Sequence, residues 1–303
     1  MAIAFPPGSV ADVVSGLAEH DYLADEALAT AIFLAIELQR PLLLEGEAGV
    51  GKTEVAKTLA RWSGGRLIRM QCYEGLDVGQ AVYEWDYSRQ LLHLRTREAV
   101  GDLAANAEAV EDELYSDKFL VRRPLLDAIA HDDEVAPILL IDEVDRADDE
   151  FEAFLLEVLS EYAITIPELG TFRATKPPIV IITSNRTRDV HDALKRRALY
   201  HWVEHPGLER EVEIIRRRTD GVTDELAGQV ARAVAEFRNL GLYKPPGVAE
   251  SIDWAQALHR LEQRGLTVES ANASLGTVLK YREDQQRVRD HGLDQVVATA
   301  TDV

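Results

Sequence analysis

The sequence predicts an α/β fold: a five-stranded parallel sheet with helices on both faces, followed by an all-helical lid domain. Three observations carry that expectation. Short apolar runs of the kind a buried parallel strand needs recur at residues 42–44, 67–70, 138–141, 179–183 and 200–203, with helical periodicity between them. The first run leads directly into Gly46, Gly51, Lys52 and Thr53, which have the G-x-x-x-x-G-K-[ST] spacing of a P-loop, and then into the helix formers of residues 54–60. After Pro206-Gly207 no convincing strand remains, only helical segments at residues 209–218, 224–238, 250–264 and 268–279. The P-loop strand is expected at the centre of the sheet, with residues 139–141 directly beside residues 42–44.

Composition narrows the class. A chain of 303 residues suits one large or two ordinary domains. Its 53 acidic and 33 basic side chains give a net charge of −20, which repels phosphate backbones and counts against a nucleic-acid partner. The single cysteine, Cys72, excludes an internal disulfide and any multi-cysteine metal site. No apolar run approaches the ~20 residues of a membrane span, and no basic-then-apolar leader opens the chain. The cytoplasm is the expected location.

Taken in order, residues 1–24 read as an N-terminal arm with Pro6, Pro7, Gly8 and one short helix. Asp25 then caps a helix carrying Leu28, Ile32, Ala35 and Leu38, which ends at Pro41. Tyr22 and Leu23, just before it, suit ordinary helix packing first, and the gripping of an adenine second. In the P-loop, Gly46, Glu47, Ala48, Gly49, Val50, Gly51, Lys52, Thr53 and Glu54 are the candidate ATP-binding residues. Glycines let successive N–H groups turn toward phosphate oxygens, and the new helix adds its positive end. Lys52 is expected to bridge the β- and γ-phosphates, and the Thr53 hydroxyl to ligate Mg²⁺.

Beyond Gly64-Gly65 and the second strand, residues 81–94 place Val82, Tyr83, Trp85 and Tyr87 before Ser88-Arg89 and Leu91, Leu92 and Leu94 after it, which suggests a β-hairpin. Its aromatics suit either a core or an insertion that grips something. Residues 96–130 turn helical and acidic, most simply a solvated helix face. The run of residues 138–141 ends in Asp142 and Glu143, a Walker B arrangement in which Asp142 holds the Mg²⁺ shell and Glu143 acts as general base. A helix at 151–159 precedes a second hairpin, 164–166 against 171–173. The fourth strand ends at Ser184-Asn185, where the Asn185 amide can order the nucleophilic water or cap a turn. Lys195, Arg196 and Arg197 follow a short helix. His201 and His205 read as core or surface histidines, not metal ligands.

With these motifs in this order, the chain resembles an AAA+ ATPase, and within that superfamily the MoxR family. The resemblance covers essentially the whole chain and rests on LLLEGEAGVGKT, QCYEGLD (Gln71 to Asp77), AVYEWDYSRQLLHLR (Ala81 to Arg95), LLIDEVDRAD (Leu139 to Asp148) and ALKRRALYHW (Ala193 to Trp202). The second and third tracts resemble the branch associated with carbon-monoxide dehydrogenase maturation. The resemblance implies a nucleotide-binding domain over residues 25–206 with two β-hairpin inserts facing the pore of a homo-hexamer, and a lid over residues 207–303. It makes Asn185 the sensor 1 residue, Arg197 the arginine finger with Arg196 second, and Arg146 a basic interface residue. It further implies a chaperone that remodels a client metalloenzyme with a von Willebrand A partner. An unfoldase and a DNA-remodelling or transcription-associated ATPase are the alternatives. One departure stands out: where many relatives carry a sensor 2 arginine in the lid, this chain reads Pro245-Pro-Gly-Val-Ala249, with Lys244 the nearest cation.

Overall fold

A computed structural model describes residues 5–100 and 107–302, so the first four residues of the arm and residues 101–106 of the acidic stretch lie outside the described residues. Five of the predicted runs form one parallel sheet: β1 (Leu42–Gly46), β2 (Leu67–Gln71), β5 (Ile138–Asp142), β8 (Ile179–Ser184) and β9 (Leu199–Val203). Two shorter pairs complete the strands, β3 (Tyr83–Trp85) with β4 (Leu120–Arg122), and β6 (Ala163–Ile166) with β7 (Gly170–Arg173). β1 and β5 are buried along their full length, as continuous apolar runs require. β2 lies at the sheet edge and alternates, burying Ile68 and Met70 while Leu67 and Arg69 face outward.

The strand order is β2-β5-β8-β1-β9, which corrects one expectation. β8, not the P-loop strand, is central, and it separates β5 from β1. Chemistry explains the placement: β8 supplies hydroxyl and amide partners to the acids that end β5, as described below.

The first predicted hairpin is also corrected. β3 pairs antiparallel with the distant β4, Trp85 opposite Leu120, and the residues after it form the helix Tyr87–Val100. Asp86 accepts the Arg89 N–H at 2.9 Å, an N-cap that turns the chain into a helix where aromatic alternation suggested a strand. Trp85 is buried, meeting Tyr83 and Tyr115 edge-on with ring centroids 6.0 and 5.3 Å away. Tyr87, Leu91 and Leu92 are exposed on the new helix. The second hairpin forms as β6 and β7, with the Thr165 and Thr171 hydroxyls 2.9 Å apart across the pair.

Packing divides the chain into two compact units. One gathers the chain up to Ala29, the P-loop segment Glu45–Thr58 and everything from Trp202 onward; the other comprises Thr30–Leu44 and Leu59–His201. The first has its own core around Trp254, Phe237, Val230 and Leu275. Its helices include Leu208–Arg218, Asp224–Asn239, Val248–Arg260 and Val268–Val278, close to the predicted segments. Two more, Arg282–His291 and Leu293–Thr301, escape sequence reading. Arg282–His291 buries only Val288 and Asp284 and so shows almost no apolar stripe. Among the described residues, no helix is long and apolar enough to cross a membrane.

The two aromatic environments make a direct comparison. Trp85→Ala is expected to cost about 3–5 kcal/mol of unfolding free energy, read by urea denaturation. Tyr87→Ala should stay within about 0.5 kcal/mol of the parent. Equal losses would show that Trp85 is not core.

Candidate functional site

The phosphate-cradle residues lie in the first unit. β1 ends at Gly46, where a Cβ would sit 2.4 Å from the Val203 carbonyl oxygen, so no larger residue fits. Gly49 and Gly51 adopt φ of +82° and +96°, the left-handed region that glycine enters without penalty. The helix Lys52–Ser63 then starts at the loop, its N-terminal N–H groups directed as anion binding needs. Lys52 is buried, and its Nζ donates to the carbonyls of Gly46 at 2.8 Å and Glu47 at 2.6 Å. Glu47 in turn contacts His205 Nε2 at 3.0 Å, so His205 is a P-loop neighbour. Glu54 pairs with Arg218 at 3.0 Å. The Tyr22 ring lies 3.7 Å from where a Gly51 Cβ would be, and burial pushes its phenol pKa up.

The tract without a sensor 2 arginine supplies something the sequence does not show. The N–H groups of Val248 and Ala249 donate to the Gly49 carbonyl at 3.0 and 3.3 Å. Gly247 lies against the loop so closely that a Cβ on it would sit 2.7 Å from Gly49 Cα and 2.9 Å from the Ala48 oxygen. Its φ of −84° suits any residue, so glycine is required here by space alone. A buried network holds the tract from behind. Arg238 donates to the Pro246 carbonyl at 2.8 Å and, through both terminal nitrogens, to Glu211 at 2.6 and 2.8 Å; Ser251 adds a bond to Glu211 at 2.6 Å. The helix Val248–Arg260 therefore clamps the P-loop by backbone contact.

The acids lie in the second unit. Asp142 is 3% exposed; its Oδ1 accepts the Thr183 hydroxyl at 2.6 Å and its Oδ2 accepts Arg69 Nη2 at 2.6 Å. The same Thr183 oxygen accepts the Glu143 N–H at 2.9 Å. Glu143 adopts φ 56° and ψ 51°, a left-handed turn that ends β5. Its carboxylate takes three donors: Asn185 Nδ2 at 3.1 Å on Oε1, with Gln71 Nε2 at 3.1 Å and Arg146 Nε at 2.9 Å on Oε2. Asp142, Glu143 and Asn185 are thus brought together, and Gln71, which opens the tract QCYEGLD but has no role assigned from sequence, joins them. Asp145 is a second residue that sequence reasoning missed. Buried, it accepts the N–H groups of Asn185 at 3.1 Å and Thr187 at 2.8 Å, fixing the loop that carries the Asn185 amide. The thiol of Cys72, next along from Gln71, is pushed up to about 12, by burial first and then by the charge of Asp142, so it is no nucleophile.

A buried carboxylate that already draws a cation, and a threonine hydroxyl at the P-loop, are hard oxygen donors of the kind Mg²⁺ takes. Among the described residues no group of three or more His, Cys, Asp or Glu side chains gathers as a protein-only metal cage.

Arg196 and Arg197 do not bond to these acids. They border a separate cavity of about 320 Å³ in the second unit, with Arg40, Ser160 and Tyr162. Arg40 donates to the carbonyls of Arg196 and Arg197 at 2.9 and 2.8 Å, fixing the end of the helix Asp192–Arg197. The Arg197 guanidinium donates to the Ser160 carbonyl. Arg196 is exposed and its guanidinium has no partner among the described residues.

The sequence matches the family described as AAA domain (dynein-related subfamily) over residues 41–198. No curated protein matches the chain. Among solved structures, one from Cytophaga hutchinsonii described as a candidate ATPase is similar at 15% identity and a TM-score of 0.49, over 96% of this chain and 92% of that one. A RuvB variant from Thermotoga maritima is similar at 16% identity and a TM-score of 0.49, over 92% of this chain and 75% of that one. The Thermotoga maritima RuvB Holliday junction branch migration motor is similar at 16% identity and a TM-score of 0.46, over 89% of this chain and 71% of that one.

The clamp yields a paired test. Gly247→Ala introduces a Cβ 2.7 Å from P-loop backbone and should weaken nucleotide binding by about tenfold, or about 1.4 kcal/mol, in a fluorescent-ADP titration. Gly276→Ala, exposed in the helix Val268–Val278 with its nearest neighbour 3.6 Å away, should bind normally and gain about 0.5–1 kcal/mol of stability. Unchanged ADP affinity in Gly247→Ala would refute the clamp.

Proposed function

The chain belongs to the AAA domain family, in its dynein-related subfamily, and we propose that it is a MoxR-type machine that spends ATP on remodelling a client protein. ATP hydrolysis comes with the AAA domain. The observation that carries the residue assignment is the triply held carboxylate of Glu143 beside the buried Asp142. A general base must be aimed, and Asn185, Gln71 and Arg146 aim this one. In this reading residues 25–206 form the nucleotide-binding domain and residues 207–303 its lid. The P-loop N–H groups and Lys52 take the phosphates, and Glu143 accepts a proton from the attacking water that Asn185 helps to orient. Thr53 and Asp142 would hold Mg²⁺, which would supply neutralisation of the charge developing on the transferred phosphoryl group.

The active form in this proposal is a homo-hexamer, with an arginine reaching the neighbouring subunit's nucleotide. The free guanidinium of Arg196 supports giving it that role, with Arg197 bracing the cavity wall through Ser160. The client is a protein rather than a nucleic acid, because a net charge of −20 opposes a phosphate track. The resemblance of the Gln71–Asp77 and Ala81–Arg95 tracts points to metal-centre assembly in an oxidoreductase, with a von Willebrand A partner. Tyr87, Leu91 and Leu92, 67%, 53% and 67% exposed, offer an apolar face for such a client, while the buried Trp85 belongs to the core.

Two experiments test these assignments. Glu143→Gln should keep nucleotide affinity while turnover falls by roughly 10²–10⁴. Complexes trapped on it with ATP should contain a protein client, and Tyr87→Ala should reduce that capture. Recovery of nucleic acid alone would end the remodelling reading. In mixed assemblies, Arg196→Ala subunits should lower hydrolysis on order of 10³ only at the interfaces they face, and Arg197→Ala should do less. A fully active monomer would rule out catalysis across subunits.

A further inference from the structure

Among the described residues, Arg69 is a cation that Asp142 holds and that no motif accounts for. It projects from the outward face of the edge strand β2, two residues before Gln71, and its side chain is 52% exposed while that of Asp142 is 5% exposed. Both Nε and Nη2 reach the same oxygen of Asp142, Oδ2, at 3.1 and 2.6 Å. The other oxygen, Oδ1, is engaged by the Thr183 hydroxyl. Nη2 also donates to the Gln71 side-chain carbonyl at 2.7 Å, and the Gln71 amide donates to Glu143 Oε2. One guanidinium thereby ties the metal-holding carboxylate to the residue that restrains the general base. A lysine, with a point charge and no planar fork, would not make this bridge.

We propose that Arg69 is a positioning residue that competes with the divalent cation for Asp142 Oδ2, and that links its own displacement to the release of Glu143. In the arrangement seen here, Arg69 neutralises Asp142 and orients Gln71 toward Glu143. When Arg69 gives up Oδ2, Gln71 loses its oriented acceptor bond and its hold on Oε2 weakens, leaving Glu143 to Asn185 and Arg146. Arg69 thus sets a threshold of divalent cation below which the base stays restrained. The proposal rests on the reading of Asp142 as the metal-holding carboxylate.

The test uses the full chain with ADP, and Mn²⁺ as the probe, counted by its electron paramagnetic resonance signal. Arg69→Met keeps the apolar stem and removes the charge. It should tighten Mn²⁺ binding about fivefold, the scale of a half-exposed ion pair, and lower by the same factor the Mg²⁺ needed for half-maximal turnover. Arg69→Lys should retain the parent's Mn²⁺ affinity, because the competing charge stays. It should also lose the Mg²⁺-dependent restraint of turnover, because the bridge to Gln71 is gone. A residue of merely structural value would lower the melting temperature and leave Mn²⁺ affinity alone. Should Arg69→Met fold poorly, Arg69→Gln carries the same expectation. Parent-like or weaker Mn²⁺ binding in a folded charge-removed variant overturns the proposal. Asp142→Asn separates the two levels. If it fails to weaken Mn²⁺ binding, the reading of Asp142 falls and takes the proposal with it; if it weakens binding while Arg69→Met changes nothing, only the proposal falls.

Discussion

A carboxylate whose side chain is 5% exposed has to be answered by its surroundings, and the answer to Asp142 organises the second unit. Removing a charge from water costs several kcal/mol unless hydrogen bonds and an opposite charge replace the solvent. Thr183 supplies the bond from β8 on one side, and Arg69 the charge from β2 on the other. That pair of demands accounts for β5 lying between β2 and β8 rather than beside the P-loop strand. The Thr183 oxygen serves twice, donating to Asp142 and accepting the Glu143 N–H. The left-handed turn at Glu143 is held at its first bond by a residue whose position Asp142 already dictates.

In the first unit the constraint is space rather than charge. The P-loop backbone is approached so closely by Gly247 and by Val203 that a single methyl group at Gly247 or Gly46 would meet other main-chain atoms. Such contacts need something rigid behind them. The buried pair of Arg238 and Glu211 supplies it, with Ser251 and the Pro246 carbonyl taking up the remaining hydrogen-bonding capacity. The tract Pro245–Ala249, which carries no arginine, is therefore still tied to the loop. The link runs through backbone hydrogen bonds, which read the position of the P-loop carbonyl at Gly49 without touching a phosphate.

The sequence was legible where one residue type has one physical use. Apolar-rich runs, continuous in β1 and β5 and alternating in β2, marked the sheet strands, and the P-loop and the paired acids at the end of β5 marked the segments of the candidate site. Strand order was not legible, because it depends on which strand brings a hydroxyl and which an arginine to Asp142, and neither residue carries a motif. Gln71 and Asp145 escaped for the same reason: each works through a partner more than forty residues away in the chain or through loop N–H groups. The stretch expected as a hairpin carries a local helix signal. Asp86, three residues before Arg89, is an N-cap, and it outweighs the alternation of Tyr83, Trp85 and Tyr87. Gly247 could not be recognised from sequence at all, since its negative φ leaves no mark of the steric demand.

Guanidinium groups recur wherever two acceptors must be joined. Arg69 joins Asp142 to Gln71, Arg238 joins Glu211 to the Pro246 carbonyl, and Arg40 joins two carbonyls at the end of the helix Asp192–Arg197. A planar fork can serve two acceptors without losing either, which an ammonium on a flexible stem does less well. In a chain with net charge −20 this has a further consequence. Acidic side chains outnumber basic ones, 53 to 33, so carboxylate partners are plentiful for the cations. The same abundance means that the cation on Asp142 has to be placed by geometry, because charge alone would not select one arginine among many. β2 does this by pointing Arg69 and Gln71 from one face of one edge strand, two residues apart, toward neighbouring carboxylates.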